Sequence, residues 1–161
     1  MSTYIKIDGI DGECADDKHE KWIDVLSWSW GMSQSANSHM GGGGGNSLAS
    51  VQDMSLVKFV DKSTPQLMFA SLKGKHIPKA EFHVVKAGGD DKLQYIVAKF
   101  EDLIISNVST GGSREEDRLT EQVSLNFAKV EFEYTEQDAK GGAGAKPKVQ
   151  WDIKKGDGSV S

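Results

Sequence analysis

Apolar side chains recur at every second position along most of this chain, which is the pattern of half-buried β-strands. Ile5 and Ile7 alternate with polar neighbours near the start, and Val123, Leu125 and Phe127 do the same much further along. Glycine-rich stretches separate these runs and provide turns. The pattern therefore predicts a mainly β fold. Its predicted strands cover residues 4–7, 22–30, 51–60, 79–86, 93–108, 119–134 and 149–153.

One segment has the spacing of a helix instead. Ser63 or Thr64 is suited to cap its start, and Pro65 is tolerated in a first turn. Gly74 is suited to end it, because glycine adopts the left-handed backbone conformation that closes many helices. The residues between these signals form an amphipathic pattern, so we predict one short α-helix that flanks the strands.

Two further segments are too loose in composition to be core elements. Residues 34–50 hold a run of glycines among serine, asparagine and alanine, and we predict an extended loop there. Residues 135–148 contain little apolar side chain and are predicted to be flexible. A glycine-containing stretch at 87–90 predicts a hairpin turn. The consecutive glycines of the extended loop are Gly41, Gly42, Gly43, Gly44 and Gly45.

The strand over 119–134 changes phase part of the way along. Its apolar residues occupy odd positions up to Phe127 and even positions from Val130 onward. An extra residue in one strand produces such a change and bends the strand. We therefore predict a β-bulge near Ala128 or Lys129.

The strand over 22–30 carries the most distinctive pair of faces in the chain. Trp22, Trp28 and Trp30 occupy even positions, so alternation places them on one face, which is predicted to pack into a core or a subunit interface. Ser27 and Ser29 occupy odd positions and are predicted to point the other way. If the tryptophans face inward, the two serines are exposed.

Composition and charge exclude several classes of protein. A chain of 161 residues fits one domain, and we predict a single domain over 1–161. The formal net charge is −5 and no concentrated basic patch is visible, which argues against binding to nucleic acid or to anionic lipid. No apolar run has the length of a signal-peptide core or of a membrane span. We expect cytoplasmic synthesis without a cleavable signal peptide, and no stable membrane insertion.

Residues with catalytic or ligand-binding chemistry form no recognisable motif. The four histidines share no metal-binding spacing, and the glycine run lacks the Lys-Ser or Lys-Thr pair of a phosphate-binding loop. Cys14 lies among carboxylates, which raise the pKa of a thiol and make it a poor nucleophile. We predict no catalytic residue, no metal site and no cofactor, and hence a protein that is not an enzyme. The hypothesis that the protein is an enzyme rests only on scattered carboxylates and histidines.

Several stretches of the sequence occur together in a known family. They are WIDVLSWSWGMSQS from Trp22, HMGGGGG from His39, VQDMSLVKFVDKSTPQL from Val51, KAGG from Lys86 and EDRLTEQVSLNF from Glu116. These stretches resemble the Hcp family, the haemolysin-coregulated proteins of the bacterial type VI secretion system. They follow the family order between residues 4 and 134. Agreement of several segments in order makes the resemblance specific.

The resemblance implies both a fold and a function. It implies a compact β-barrel of two sheets with a helix on its side, assembled as a homo-hexamer into rings that stack into a hollow tube. It also implies that a contracting sheath on a baseplate expels the tube with its spike protein into a target cell, and that the ring lumen carries and chaperones small effector proteins. We therefore expect a secreted structural tube protein. The alternative is a carbohydrate- or ligand-binding β-barrel that uses Trp28 and Trp30 as a stacking surface.

Within such a tube, particular residues acquire expected roles. Ser29 is the first candidate and Ser27 the second for contact with effectors in the lumen, and an outer wall is the alternative position of both serines. The loop with glycines 41–45 is expected to act as an arm that reaches the next subunit or ring. The strand over 93–108 has apolar residues on both faces, more than one small barrel buries, so a neighbouring subunit is expected.

Overall fold

The computed structural model describes residues 1–35, 49–86 and 92–161, so the predicted arm at 41–45 and the hairpin turn at 87–90 lie outside the described residues. The described strands are β1 (Ser2–Ile7), β2 (Ile23–Val25), β3 (Ser27–Ser29), β4 (Met32–Gln34), β5 (Ala49–Val51), β6 (Met54–Phe59), β7 (Ile77–Lys86), β8 (Leu93–Thr110), β9 (Thr120–Tyr134), β10 (Lys148–Asp152) and β11 (Asp157–Val160). Within the same ranges there is one helix, α1 (Thr64–Lys73). The prediction of a mainly β fold with a short helix is confirmed.

Nine of the described strands form one antiparallel sheet, and β4 and β5 form a second sheet of two strands. The hydrogen-bonded order of the large sheet is β11-β10-β9-β8-β7-β1-β2, while β6 pairs with both β9 and β3. Among the described residues this order is an open path and the large sheet does not close into a barrel, so the barrel closure in the expected fold is wrong, whereas its mainly β class is confirmed. The reason lies in the segment that contains β2 and β3, where the ladder changes partner.

The segment 23–29 changes its partner at Leu26. β2 pairs with β1, whereas β3 pairs with β6. Leu26 lies between the two strands at a bend, and its N–H donates to the Val57 carbonyl at 2.7 Å. Alternation of apolar residues does not show which neighbour a strand takes, and so it could not show this interruption.

The bend at Leu26 also changes which side of the segment packs against the main core. Ile23 and Val25, at odd positions, are buried in the main core before the bend. Trp28 and Trp30, at even positions, pack against that core after the bend, whereas Trp22 packs against a smaller cluster. The prediction that three tryptophans share one face is therefore wrong for Trp22. The smaller cluster consists of Tyr4, Cys14 and Val85.

The predicted phase change in the strand over 119–134 is present, but its cause is different. Burial in β9 moves from odd positions, which end at Phe127, to even positions at Val130. β8 changes phase opposite this point, where Asp102 has a φ of 53°. The register between β8 and β9 stays unbroken there. Both strands thus turn together, and the predicted bulge near Ala128 or Lys129 is wrong.

The sequence signals at both ends of α1 hold in the structure. Ser63 is the N-cap residue, although its hydroxyl donates to Asp61 Oδ1 at 2.5 Å instead of to the helix backbone. Pro65 lies in the first turn, and Gly74 ends the helix with a φ of 58°. Leu67 is fully buried on the inner side of the helix. The helix therefore packs against the sheet through a narrow apolar stripe.

A buried ion pair joins β6, β9 and the start of α1. Lys58 and Glu121 are cross-strand neighbours, and Lys58 Nζ lies 2.5 Å from Glu121 Oε1. Both side chains are almost inaccessible to solvent. Thr64 Oγ1 donates to the same carboxylate oxygen at 2.7 Å, and Lys58 Nζ also donates to Asp61 at 3.0 Å. These contacts fix the first turn of α1 against the sheet.

Candidate functional site

The two serines singled out from the sequence lie in rows that cross four strands. Ser29 of β3 pairs with Ser55 of β6, and Ser55 pairs with Ser124 of β9. Ser124 in turn pairs with Asn107 of β8. Residues paired across antiparallel strands point to the same side of a sheet, so these four side chains share one face.

A second row runs beside the first. Ser27 pairs with Val57, which pairs with Gln122. Gln122 pairs with Ser109 of β8. Val57 is half-buried, and the other three residues of this row are exposed. We call the two rows together the serine face. Its members are Ser27, Ser29, Ser55, Val57, Asn107, Ser109, Gln122 and Ser124.

The opposite side of the same strands forms part of the core. Trp28, Leu56 and Val123 alternate with the residues of the serine face and pack inward. Successive side chains of a strand point to opposite sides, so burial of these residues holds the serine face outward. Ser27 and Ser29 are accordingly exposed in this chain.

Hydrogen bonds between side chains order the serine face and its rim. The hydroxyls of Ser55 and Ser124 lie 3.3 Å apart. At the rim, the Asp53 carboxylate accepts one hydrogen bond from Ser106 at 2.7 Å and one from Asn126 at 2.8 Å. Since each carboxylate oxygen already has a donor, the negative charge of Asp53 is partly compensated beside the two rows.

The serine face has a uniform chemistry. Its residues carry hydroxyl and amide groups and one aliphatic side chain, and no member of the two rows is charged. Hydroxyl and amide groups both donate and accept hydrogen bonds. Such a surface can contact polar partners in many orientations without the strong pairing that a charged surface imposes. It is suited to weak, adaptable contact.

Sequence reasoning found only the β3 part of this face. The residues it missed alternate correctly within their own strands, as Gln122 and Ser124 do beside Val123. What could not be deduced was the register that places Ser55 opposite Ser29. Alternation fixes the side of a sheet on which a residue lies, whereas the partner strand and its register depend on the whole fold.

The predicted arm with glycines 41–45, which we call the glycine arm, lies between β4 and β5 in the sequence. Glycines 41–45 lie outside the described residues. Gln34 pairs with Ala49, at the ends of β4 and β5. The predicted extended loop over 34–50 therefore begins and ends in a two-stranded sheet.

Among the described residues, and apart from the buried ion pair at the start of α1, the titratable side chains with possible catalytic chemistry form isolated contacts at the surface and one buried group. His76 is exposed and lies 3.2 Å from Asp102. Burial raises the pKa of the Cys14 thiol, and Asp24 adds to the effect, so the predicted direction is confirmed but acidic neighbours are not the largest cause. The buried group contains His19 and His83, which are in contact with each other. The sequence showed no close spacing between these two histidines.

Two classes of site are not formed in the part of the chain that the structure describes. There, no three side chains of the His, Cys, Asp and Glu types are arranged to hold a metal ion. Across the same residues, no helix combines the length and the hydropathy needed to cross a membrane.

The tryptophans proposed as a stacking platform are occupied by the core. Trp28 packs edge-on against Phe82 at a centroid distance of 5.1 Å, and Trp30 stacks on Phe132 at 5.9 Å. Trp30 Nε1 also donates to the carbonyl of Gln52 at 2.9 Å. These rings are not displayed as a flat surface for a sugar, so the alternative of a carbohydrate-binding barrel has no support.

Comparison with known proteins gives one consistent result. A family model described as "Type VI secretion system effector, Hcp" matches residues 4–134. The chain is 50% identical over 155 residues to protein hcp1 of Pseudomonas aeruginosa, covering 96% of each chain. It is also similar to a solved type six secretion system protein, with a TM-score of 0.89, 31% identity and coverage of 98% of this chain and 99% of the other. Hcp1 from Salmonella typhimurium aligns with a TM-score of 0.79 and 35% identity over 98% of both chains.

Proposed function

The chain belongs to the Hcp family of the bacterial type VI secretion system, and from this membership we propose that it forms hexameric rings that stack into a hollow tube. The observation that carries the proposal is the family match over residues 4–134, with relatives aligned along nearly the whole chain. The proposed building unit is a single tube domain over 1–161. In such a ring one side of each subunit docks on the opposite side of the next, which leaves the axial surfaces free for stacking.

Apolar side chains at the surface support association between subunits. Phe69 and Leu72 of α1 are largely exposed, and so is Met32 of β4. Removing apolar surface from water is the main favourable contribution to most protein association. A ring supplies partners for such side chains that the isolated chain lacks.

The proposed work of the tube is mechanical. Contraction of a surrounding sheath drives the tube, with a spike protein at its tip, from a baseplate into a target cell. The protein is made in the cytoplasm and leaves through the secretion system. It has no catalytic turnover of its own, because its task is assembly and transport of cargo.

We assign the serine face to the lumen of the ring, with Ser29 as the first and Ser27 as the second candidate for effector contact. Three features support this assignment: five of the eight residues of the face are exposed, it is uncharged along both rows, and its hydroxyl and amide groups suit weak contact with polar protein surfaces. A transport lumen has to hold small effector proteins without binding them irreversibly. The alternative position, an outer wall beneath the sheath, is distinguished by experiment.

The glycine arm is assigned to contact between subunits or between rings. The support is compositional, because glycine loses more conformational entropy on ordering than other residues do. Contacts with a neighbouring subunit can offset that loss. Shortening 41–45 is therefore expected to reduce ring or tube formation while it leaves the thermal transition of the subunit nearly unchanged.

The lumen assignment is tested with Ser29→Arg, which introduces a long charged side chain into the uncharged rows. Ser159→Arg is the matched control, since Ser159 is also exposed but lies in β11 at one end of the strand order. Rings of both variants are imaged by electron microscopy and assayed for a small effector protein that co-purifies with them. We expect intact rings from both variants and reduced effector retention by Ser29→Arg only.

Two outcomes would contradict the assignment. Normal effector retention by intact Ser29→Arg rings would show that the serine face does not contact cargo. Loss of rings in Ser29→Arg but not in Ser159→Arg would show that the serine face is an interface between subunits.

A further inference from the structure

Two histidines that are 64 residues apart in the sequence are in contact inside the protein. His19 Nε2 lies 2.9 Å from His83 Nδ1, and both residues are buried. We call these two residues the histidine pair. His83 belongs to β7, which contributes nothing to the serine face, and it alternates with the core residues Phe82 and Val84. The pair therefore lies on the side of β7 that faces away from the main core.

The other nitrogen of each ring is bound to a carboxylate. His19 Nδ1 lies 2.7 Å from Asp16 Oδ2, and His83 Nε2 lies 2.7 Å from Glu81 Oε1. Hydrogen bonds from Lys92 and from His19 lower the pKa of Asp16 to about 2. The hydrogen bond from His83 lowers the pKa of Glu81. Both carboxylates are ionised at neutral pH and can only accept, so each outer ring nitrogen carries a proton.

These contacts fix the number of protons on the two rings. If both rings were neutral, the two facing nitrogens would each present a lone pair, and no hydrogen bond could join them. If both rings were positively charged, two N–H groups would face each other. A single proton shared between His19 Nε2 and His83 Nδ1 is the arrangement that makes the 2.9 Å contact a hydrogen bond. The pair then holds three ring protons and one positive charge.

The same protonation state balances the local charge. Asp16 and Glu81 bring two negative charges, and Lys92, in contact with Asp16, brings one positive charge. One positive charge on the histidine pair makes the whole group neutral. Buried charges are tolerated when they are paired and hydrogen-bonded. Gain or loss of a proton would give the group one unit of net charge, which solvent screens in part at the partly exposed Glu81 and the exposed Lys92.

The surroundings of the pair are mainly aromatic. Tyr4 of β1 stacks on His19 at a centroid distance of 4.2 Å, and Trp22 packs against both histidines. The nearby Cys14 thiol is neutral, because burial raises its pKa. Further charged groups act on the carboxylates, on Lys92 and on the thiol. They are Lys6, Asp17, Asp24 and Lys99.

The histidine pair also joins two parts of the fold. His19 belongs to the segment 11–22, which precedes β2 and holds its own shape through backbone hydrogen bonds. Cys14 N–H donates to the Trp22 carbonyl at 3.0 Å, and Lys21 N–H donates to the Cys14 carbonyl at 3.0 Å. The side-chain bond from this segment to β7 runs through the two imidazole rings.

We propose that the histidine pair is a built proton-binding site, which holds one shared proton at neutral pH and thereby fastens the segment 11–22 to β7. The fastening weakens in both directions of pH. Loss of the shared proton at alkaline pH brings two lone pairs together, and a second proton at acid pH brings two N–H groups together. Neither His19 nor His83 is a member of the serine face.

The test uses His19→Gln, which puts an amide N–H near the place of the ring Nε2. That amide can donate to His83 Nδ1 without an extra proton. His76→Gln is the matched control, because His76 is exposed and also contacts a carboxylate. Amide hydrogen exchange of residues 11–22 is measured by mass spectrometry on the full chain between about pH 7 and pH 10, corrected for the intrinsic pH dependence of exchange.

The expected results differ between the variants. In the wild type and in His76→Gln, protection of 11–22 falls by up to about tenfold per pH unit over the range in which the closed protein still holds the shared proton and the opened segment has released it. In His19→Gln, protection is independent of pH over this range. Equal pH profiles for the wild type and His19→Gln would overturn the proposal.

A second measurement needs no substitution and covers the case in which His19→Gln does not fold. Exchange of the C2 hydrogen of each histidine ring, followed by mass spectrometry across pH, reports when that ring loses its positive charge. We expect the midpoint for the pair to lie at higher pH than the midpoint for His76. A midpoint equal to that of His76, or below it, would show that no shared proton is held.

Discussion

Two cross-strand pairs on β6 and β9 lie three residues apart and point to opposite sides of the sheet. Lys58 and Glu121 form the first pair on the core side, where both side chains are buried. Ser55 and Ser124 form the second pair on the serine face, where their hydroxyls are 3.3 Å apart and half-buried. One backbone ladder thus supports a charged contact within the core and a neutral contact near solvent.

The difference shows how burial sets the consequence of a polar contact. A buried charge that loses its partner costs several kcal/mol, because water cannot replace the partner. A hydroxyl near solvent exchanges its partner for water at little cost. The residues of the serine face are therefore free to serve contact with other molecules, whereas Lys58 and Glu121 are committed to holding α1 on the sheet.

The largest expected effect comes from breaking the buried pair. Glu121→Ala leaves the buried ammonium of Lys58 with Asp61 as its remaining carboxylate partner. We expect the free energy of unfolding to fall by about 3–5 kcal/mol, measured by denaturant unfolding. The double variant Lys58→Met with Glu121→Leu, which removes both charges, is expected to recover most of this loss. A loss below about 1 kcal/mol in Glu121→Ala would contradict the role given to the pair.

The second-largest expected effect is a loss of stability at low pH. It concerns the contact of Asp16 with Lys92, which is partly exposed to solvent. The pKa of Asp16 is lowered to about 2 from an ordinary 3.8, so its contribution to stability is present above about pH 4 and is lost as pH falls toward 2. We expect Asp16→Asn to unfold at a lower temperature than the wild type at pH 6, with the gap closing by pH 2. Asp17→Asn, at the neighbouring exposed position, is the control. A gap that persists unchanged at pH 2 would show that the charge of Asp16 is not what stabilises the fold.

The smallest expected effect is on the serine face itself. Ser124→Ala removes one hydroxyl of the 3.3 Å contact with Ser55. We expect the free energy of unfolding to change by less than about 1 kcal/mol, because the contact is half-buried and water can replace it. A loss comparable to that of Glu121→Ala would remove the distinction between the two sides of the ladder.

Local pattern explains what could be predicted about the fold. The long strands and the ends of α1 follow from alternation and from capping residues, and both are present. Two features follow from the bend at Leu26, where one segment changes its partner strand. The order of the sheet is open, and the indole of Trp22 packs away from the main core. That change depends on the packing of other strands, which no local pattern records.

The same limit applies to the sites. Ser27 and Ser29 were identified because alternation within one strand is visible in the sequence. The contact between His19 and His83, like the pairing of Lys58 with Glu121, joins residues more than 60 positions apart. Such contacts are set by strand order and register, so the residue types were visible but their partners were not.

The serine face is proposed to line the lumen of a ring built from this chain. The most direct measurement is a cryo-electron microscopy map of the assembled protein at a resolution that traces β3, β6, β8 and β9. We expect a closed hexameric ring in which Ser27 and Ser29 point toward the central channel. A ring in which this face points outward or is buried between subunits, or a protein that stays monomeric, would contradict it.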